Sequence, residues 1–282
     1  MAAFNVPIIQ FQFCYINFTK TLLDQQVHPR RGKKKQPQKK QMEKEQKPCH
    51  LVLVMAPFQG HITPVLQLAT ALHSKGFSIT ILHPELNSPD PSNHPDFAFV
   101  SIPDKFTPPR HLDRDVAGLT LSLNKSCAAP LRQCIEQMVR CGDRITAVLY
   151  DSLMFCAQTV VDELRLTGIS IRTSSATTLL LLPLFPQLEE KDFISQIDAP
   201  ELQALQLPRL RALLLQYPTG AMTEMRAAFT NAVRSSSAII ANSMAFLEQA
   251  ALSNEKAANC LLEYGSSSCS FNELTKQISS FS

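Results

Sequence analysis

Two rhythms of apolar residues alternate along this chain. Residues 51–55 form an unbroken apolar run containing two valines, the pattern of a strand buried on both faces of a parallel sheet. Residues 56–61 read as a loop. Thr63 offers an N-cap hydroxyl and Pro64 suits a first helical position. Val65, Leu66, Leu68, Ala69 and Leu72 then fall at helical spacing, and Gly76 provides a stop. A second strand is expected over residues 77–82, which makes 50–82 a βαβ unit, right-handed by default.

The alternation continues. Strands are expected over residues 97–102, 145–150, 169–172 and 238–240. Helices are expected over 119–140, with Pro130 as a kink or break, over 154–164 and over 222–233. Thr173 to Ser175 can cap a further helix, and residues 186–218 follow no clear period. Strands alternating with helices predict an α/β fold, a Rossmann-like parallel sheet with flanking helices.

In open sheets of this kind ligands sit beyond the carboxyl ends of the strands. Three polar groups fall at such ends: Gln59-Gly60-His61 after the first strand, Asp151 after the fourth and Thr173-Ser174-Ser175 after the fifth. A histidine beside a carboxylate is a general base in waiting, because the carboxylate selects the tautomer and stabilises the imidazolium that forms. Each residue also has a plainer reading. His61 can simply hydrogen-bond its loop, Asp151 can cap the next helix unless Ser152 does so, and Thr173 can be an ordinary N-cap.

Composition narrows the chemistry. The 282 residues are 45% hydrophobic and 18% charged, an ordinary globular balance. There are only 8 glycines, and the closest pair, Gly60 and Gly76, stands 16 positions apart. Glycine-rich phosphate loops need glycines a few residues apart, so G-x-G-x-x-G and the P-loop are excluded. No G-x-S-x-G elbow is present, which disfavours an acyl hydrolase. The 8 cysteines form no C-x-x-C pair, and the remaining histidines make no metal-ligand spacing with them, so no metal site is expected. Cysteines dispersed in apolar stretches point to a reducing compartment and a cytoplasmic protein. The apolar run 179–185 is too short to span a bilayer, and the first twenty residues lack the pattern of a signal peptide. Sequons at Asn17 and Asn124 are read as chance.

Charge is uneven. Nine lysines and arginines crowd residues 28–48 against two glutamates, leaving the remainder of the chain net acidic. Such a segment cannot bury enough surface to fold, and residues 1–48 are read as a disordered basic tail. A localisation signal or a polyanion-binding patch are the alternatives, but no aromatic residue interleaves with the lysines, which disfavours nucleic acid.

Several stretches together carry a family likeness. Residues 50–64, HLVLVMAPFQGHITP, resemble the N-terminal signature of plant family-1 UDP-glycosyltransferases, as do LQLA at 66–69 and ALHSKGF at 71–77. Residues 145–151, ITAVLYD, look like the strand that delivers that family's catalytic aspartate. RTSSA at 172–176, IANS at 240–243 and Leu247-Glu248 match further landmarks in order. HPELNSPDP at 83–91 with His94-Pro95 is most similar to the subgroup holding grass benzoxazinoid glucosyltransferases.

The resemblance implies half of a GT-B fold, an acceptor-binding N-terminal domain over residues 49–248. It implies that His61 is the general base taking a proton from an acceptor hydroxyl, with Asp151 orienting it and inversion at the sugar carbon. Thr173 would contact the transferred sugar, Gln59 and Gly60 would lie under its phosphate, and Leu153 and Met154 would line an apolar acceptor pocket. It implies no metal and no cofactor, the UDP-sugar being the family's donor substrate. The family's donor half carries a signature rich in Trp, Gly and His, including HCGWNS, and this sequence has no Trp at all. Residues 249–282 are therefore read as a divergent C-terminal segment with the donor domain absent. The expectation is an enzyme by family that is feebly active alone, binding a small hydroxyl-bearing acceptor, UDP-sugar weakly, and neither membrane nor nucleic acid. The alternative is a non-catalytic acceptor- or partner-binding module that associates through its exposed interdomain face.

Overall fold

The computed structural model describes residues 8–11, 49–104, 115–174, 219–242, 276 and 278–279. The elements run β1 (Ile8–Phe11), β2 (His50–Val54), α1 (Gln59–His73), β3 (Ser78–Pro84), a 3-10 turn (Pro91–Asn93), β4 (Ala98–Ile102), α2 (Val116–Arg140), β5 (Ile145–Asp151), α3 (Cys156–Leu164), β6 (Gly168–Arg172), α4 (Thr219–Ser235) and β7 (Ala238–Asn242). The seven strands form one sheet in the order β1-β7-β6-β5-β2-β3-β4, and every pairing is parallel. The chain steps outward on one side through β3 and β4, then returns to β5 and builds the other side. The switch lies between β2 and β5, where an open α/β sheet places its ligand.

The pleat sorts the core into two layers. Side chains of successive strand residues point to opposite faces. Leu51, Leu53, Ile79, Ile81, Ala147, Leu149, Ile169, Ile171 and Ile240 therefore share one core layer with Ile62, Val65, Leu68, Ala69 and Leu72 of α1. Val52, Val54, Leu82, Val148 and Tyr150 meet α2 and α3 through Leu123, Cys127, Leu131, Ile135, Val160 and Val161. The central strands β2 and β5 are buried on both faces because each face is covered.

Helix α1 begins five residues before the expected start. Phe58 is its N-cap, and the His61 and Ile62 amides both donate to the Phe58 carbonyl, at 2.8 and 2.9 Å. Pro64 therefore sits inside the helix, where it has no N–H to give the Gly60 carbonyl. The earlier start places His61 within the first helical turn. Pro130 likewise lies inside an unbroken α2, so neither proline ends its helix. Gly76 takes φ 94°, the left-handed turn expected after α1.

Two features fall outside the expected domain. Residues 1–48 were expected to hold no element, yet Ile8–Phe11 pairs with β7 as an edge strand, the short apolar segment supplying what a ladder needs. The basic stretch itself, the helix expected after Thr173-Ser174-Ser175 and residues 186–218 lie outside the described residues. Within 249–282, Ile278 is fully buried in the same core layer as Ile171 and Ile240. At least one side chain of that divergent segment is thus part of the core. Among the described residues, no helix is long and apolar enough to cross a membrane.

Candidate functional site

The pleat that builds the core also assembles the site. Ala147 and Leu149 face α1, so Asp151, two residues further, does too. Asp151 pairs in register with Ile171 of β6, and Thr173 follows Ile171 by two on the same face. His61 projects toward both from the first turn of α1. Its Nδ1 lies 2.8 Å from Asp151 Oδ2 and 3.1 Å from Thr173 Oγ1. The three expected rim residues are thus one cluster, drawn from three elements.

Hydrogen-bond accounting selects the tautomer. Asp151 is fully buried, and its other oxygen, Oδ1, accepts the Leu153 amide at 2.9 Å. A carboxylate only accepts, so His61 Nδ1 carries the hydrogen, with Asp151 as first acceptor and Thr173 Oγ1 as second. Nε2 of the neutral ring then presents a lone pair. The His61 side chain is 22% exposed, enough for a substrate to reach it. Phe58 packs edge-on against the ring, centroids 5.8 Å apart, which limits its rotation. The arrangement can take a proton at Nε2 and hold the resulting imidazolium against a buried carboxylate.

The other expected site residues are placed as follows. Gln59 and Gly60 are exposed at the start of α1, and Gln59 Nε2 donates to Thr63 Oγ1 at 3.2 Å rather than toward His61. Leu153 is half-buried beside the α2–α3 core, whereas Met154 is wholly buried within it. Two surface clefts, of about 740 and about 980 Å³, lie against α2–α3–α4 and against β4–α2, and neither is lined by His61, Asp151 or Thr173. Among the described residues no group of three His, Cys, Asp or Glu could hold a metal ion.

Two residues near the cluster escaped the sequence reading. Arg172 precedes Thr173 and so points to the opposite face, where its guanidinium lies 4.8 Å from the Phe229 ring centre. Burial pushes its pKa down to about 10, and the Asp151 charge works against that shift. Asn124 of α2 is buried and bonds the loop that follows Asp151. The signal for Asn124 was present. Thr120 and Asn124 are polar residues four apart on the buried stripe of Leu119, Leu123, Cys127 and Leu131. Those same bonds leave its sequon inaccessible, in keeping with chance.

No family model matches the chain. Among curated proteins, it is 33% identical over 221 residues to UDP-glycosyltransferase 76E5 of Arabidopsis thaliana, a match over 75% of this chain and 49% of that protein. It is 40% identical over 132 residues to UDP-glycosyltransferase 76E1 of Solanum lycopersicum, covering 46% of this chain and 27% of that one. The chain thus spans about half the length of the curated relatives it matches. Among solved structures, it superposes on a UDP-glucosyltransferase of Polygonum tinctorium capable of glucosylating indoxyl, with TM-score 0.56 and 17% identity over 74% of this chain and 50% of that one. That likeness shows the fold: a Rossmann-like α/β unit of the GT-B glycosyltransferase kind.

Proposed function

Since the chain is a relative of the plant UDP-glycosyltransferases, we propose that it is the acceptor-binding, base-carrying half of such an enzyme. The reaction is transfer of a sugar, glucose by the family likeness, from UDP-sugar to a hydroxyl of a small plant metabolite. The observation that carries this reading is the His61–Asp151 pair at the carboxyl rim of the sheet.

The step balances on these residues. His61 Nε2 takes the acceptor's hydroxyl proton as that oxygen attacks the anomeric carbon. The bond from that carbon to the UDP oxygen breaks, UDP leaves with the bonding pair, and the carbon inverts. Asp151 stabilises the imidazolium that results, and the proton later leaves from Nε2. Thr173 holds the near side of His61 and borders the incoming sugar. Gln59 and Gly60 sit where the donor phosphate would approach. Leu153 borders the acceptor, with Met154 packed behind it. The likeness of residues 83–91 to the benzoxazinoid-glucosylating subgroup favours a compact cyclic acceptor. The five described cysteines are all free, which supports a reducing, cytoplasmic setting.

Efficient transfer requires donor and acceptor held together at near-attack distance, a large share of the barrier reduction. The 282 residues contain no counterpart of the Trp-rich donor signature. We accordingly assign weak transfer to this chain by itself. The test is mass-spectrometric detection of glucosides from UDP-glucose and a panel of small phenolic and hydroxamate acceptors. Slow product formation that disappears in His61→Ala supports the reading. Product formation unchanged in His61→Ala overturns the base assignment, and rapid steady turnover overturns the weak-transfer assignment.

A further inference from the structure

The carboxylate that orients His61 is itself held in place from another helix. We propose that Asn124 is a positioning residue for the His61–Asp151 pair, acting through the turn between β5 and α3. The proposal deepens the reading of His61 as the base and rests on it.

Asn124 lies in the middle of α2 and is almost wholly buried. Its Nδ2 donates to the Leu153 carbonyl at 2.7 Å and to the Thr120 carbonyl at 2.9 Å. Its Oδ1 accepts the Cys156 amide at 2.8 Å. Three of the four hydrogen bonds an asparagine amide can make are therefore used. Two of them grip the turn directly. Cys156 is the first residue of α3, whose amide has no partner within the helix, and the N-cap Phe155 offers no side-chain cap. Asn124 supplies that cap from a neighbouring helix.

This arrangement resolves what Asp151 is for. An aspartate just before a helix is ordinarily a candidate to cap it. Here one carboxylate oxygen accepts the Leu153 amide and the other is left for His61. The Leu153 backbone is thus held on both sides of its Cα, its N–H by Asp151 and its carbonyl by Asn124. The chain of bonds runs from Asn124 through the Leu153 backbone to Asp151 and on to His61 Nδ1. If Asn124 is removed, the Leu153 carbonyl and the Cys156 amide lose their side-chain partner, and the turn that aims Asp151 is free to shift.

The readout is the tautomer of His61, which needs no sugar transfer. In the full chain labelled with ¹⁵N-histidine, long-range proton–nitrogen spectra should show His61 dominated by the Nδ1–H form. In Asn124→Ala the share of the Nε2–H form should rise about fivefold, an ordinary hydrogen bond's worth of lost preference. Asn124→Asp keeps an acceptor for the Cys156 amide and the volume of the side chain. It provides the same readout if the alanine variant does not fold. In the unaltered chain, the Asn124 side-chain amide and the Cys156 amide should exchange as slowly as the β5 amides. A folded variant with the unaltered tautomer balance overturns the proposal, as does exchange of those two groups at the rate of an exposed amide. If His61→Ala leaves transfer intact while the tautomer responds to Asn124, the base assignment fails and the positioning role stands.

Discussion

His61 Nδ1 and Asp151 Oδ2 lie 2.8 Å apart although 90 positions separate them in the chain. The aspartate is fully buried and the histidine partly exposed, so the pair joins the interior to the surface at the end of the sheet. Asp151→Asn tests what the pair does. The amide can offer an N–H to Nδ1, which selects the wrong tautomer, while the volume stays the same. The expected result is a native circular dichroism spectrum with transfer reduced by about 10²–10⁴-fold. Transfer retained within twofold would count against the pair as the base.

Gly168 opens β6 at a point of close approach. A Cβ there would come within 2.6 Å of Val161 Cγ2 and 2.9 Å of Gln158 Oε1. Val161 is buried and stiff, and Gln158 already accepts the Tyr150 hydroxyl at 2.7 Å and donates to Asp162 at 2.7 Å. Neither can retreat cheaply. Gly168→Ala should destabilise the fold by about 1–3 kcal/mol, measured as a lower urea midpoint at unchanged m-value.

Ile278 provides a check on the C-terminal segment. Its side chain is completely buried in the layer shared with Ile171 and Ile240. Ile278→Ala should cost about 2 kcal/mol or more. Val139, which is 46% exposed on α2, is the control, and Val139→Ala should change stability by less than about 0.5 kcal/mol. Equal urea midpoints for the two variants would remove Ile278 from the core.

His50 makes stability depend on pH. Burial lowers its pKa from the ordinary 6.5, partly opposed by the Asp143 charge. The unfolded chain therefore binds that proton more readily than the folded one, and stability rises with pH across the interval between the two values. The cost of charging His50 is absent well above 6.5 and grows as pH falls below it. Urea titrations at about pH 7.5 and about pH 5.5 should show a smaller acid loss in His50→Gln than in the unaltered chain. An identical acid loss in both would show that His50 contributes nothing to it.

The thiols should differ sharply in reactivity. Burial pushes the Cys127 pKa up to about 12 and raises that of Cys156 as well, whereas Cys141 is exposed. Because the thiolate is the nucleophile, iodoacetamide under native conditions should label Cys141 and spare Cys127 and Cys156. Peptide mapping by mass spectrometry distinguishes them. Labelling of Cys127 at the pace of Cys141 would contradict its burial.

Much of this molecule was legible as pattern. The apolar run at 51–55 announced a doubly covered strand, since a parallel sheet hides both faces. Strand ends located His61, Asp151 and Thr173 on one rim. Helix starts were less legible. Thr63 and Pro64 mimic a helix beginning, yet the Phe58 carbonyl captures the His61 and Ile62 amides and starts α1 earlier. A backbone carbonyl acts identically in every residue, so that competition leaves no mark in the sequence.

By itself, the sequence determined the α/β class, the rim on which chemistry could occur and the residue types present there. A repeating apolar period is a local property, and so is the residue that ends each run. Only the tertiary structure decided which side chains meet. Asp151 faces α1 because the pleat alternates from Leu149, and Arg172 faces Phe229 because it lies one residue out of phase with Thr173. Asn124 reads as a chance sequon until α2 packs on α3 and its amide meets the Leu153 carbonyl and the Cys156 N–H. Distances of under 3 Å between residues tens of positions apart depend on register and helix packing, which are set by the whole core at once.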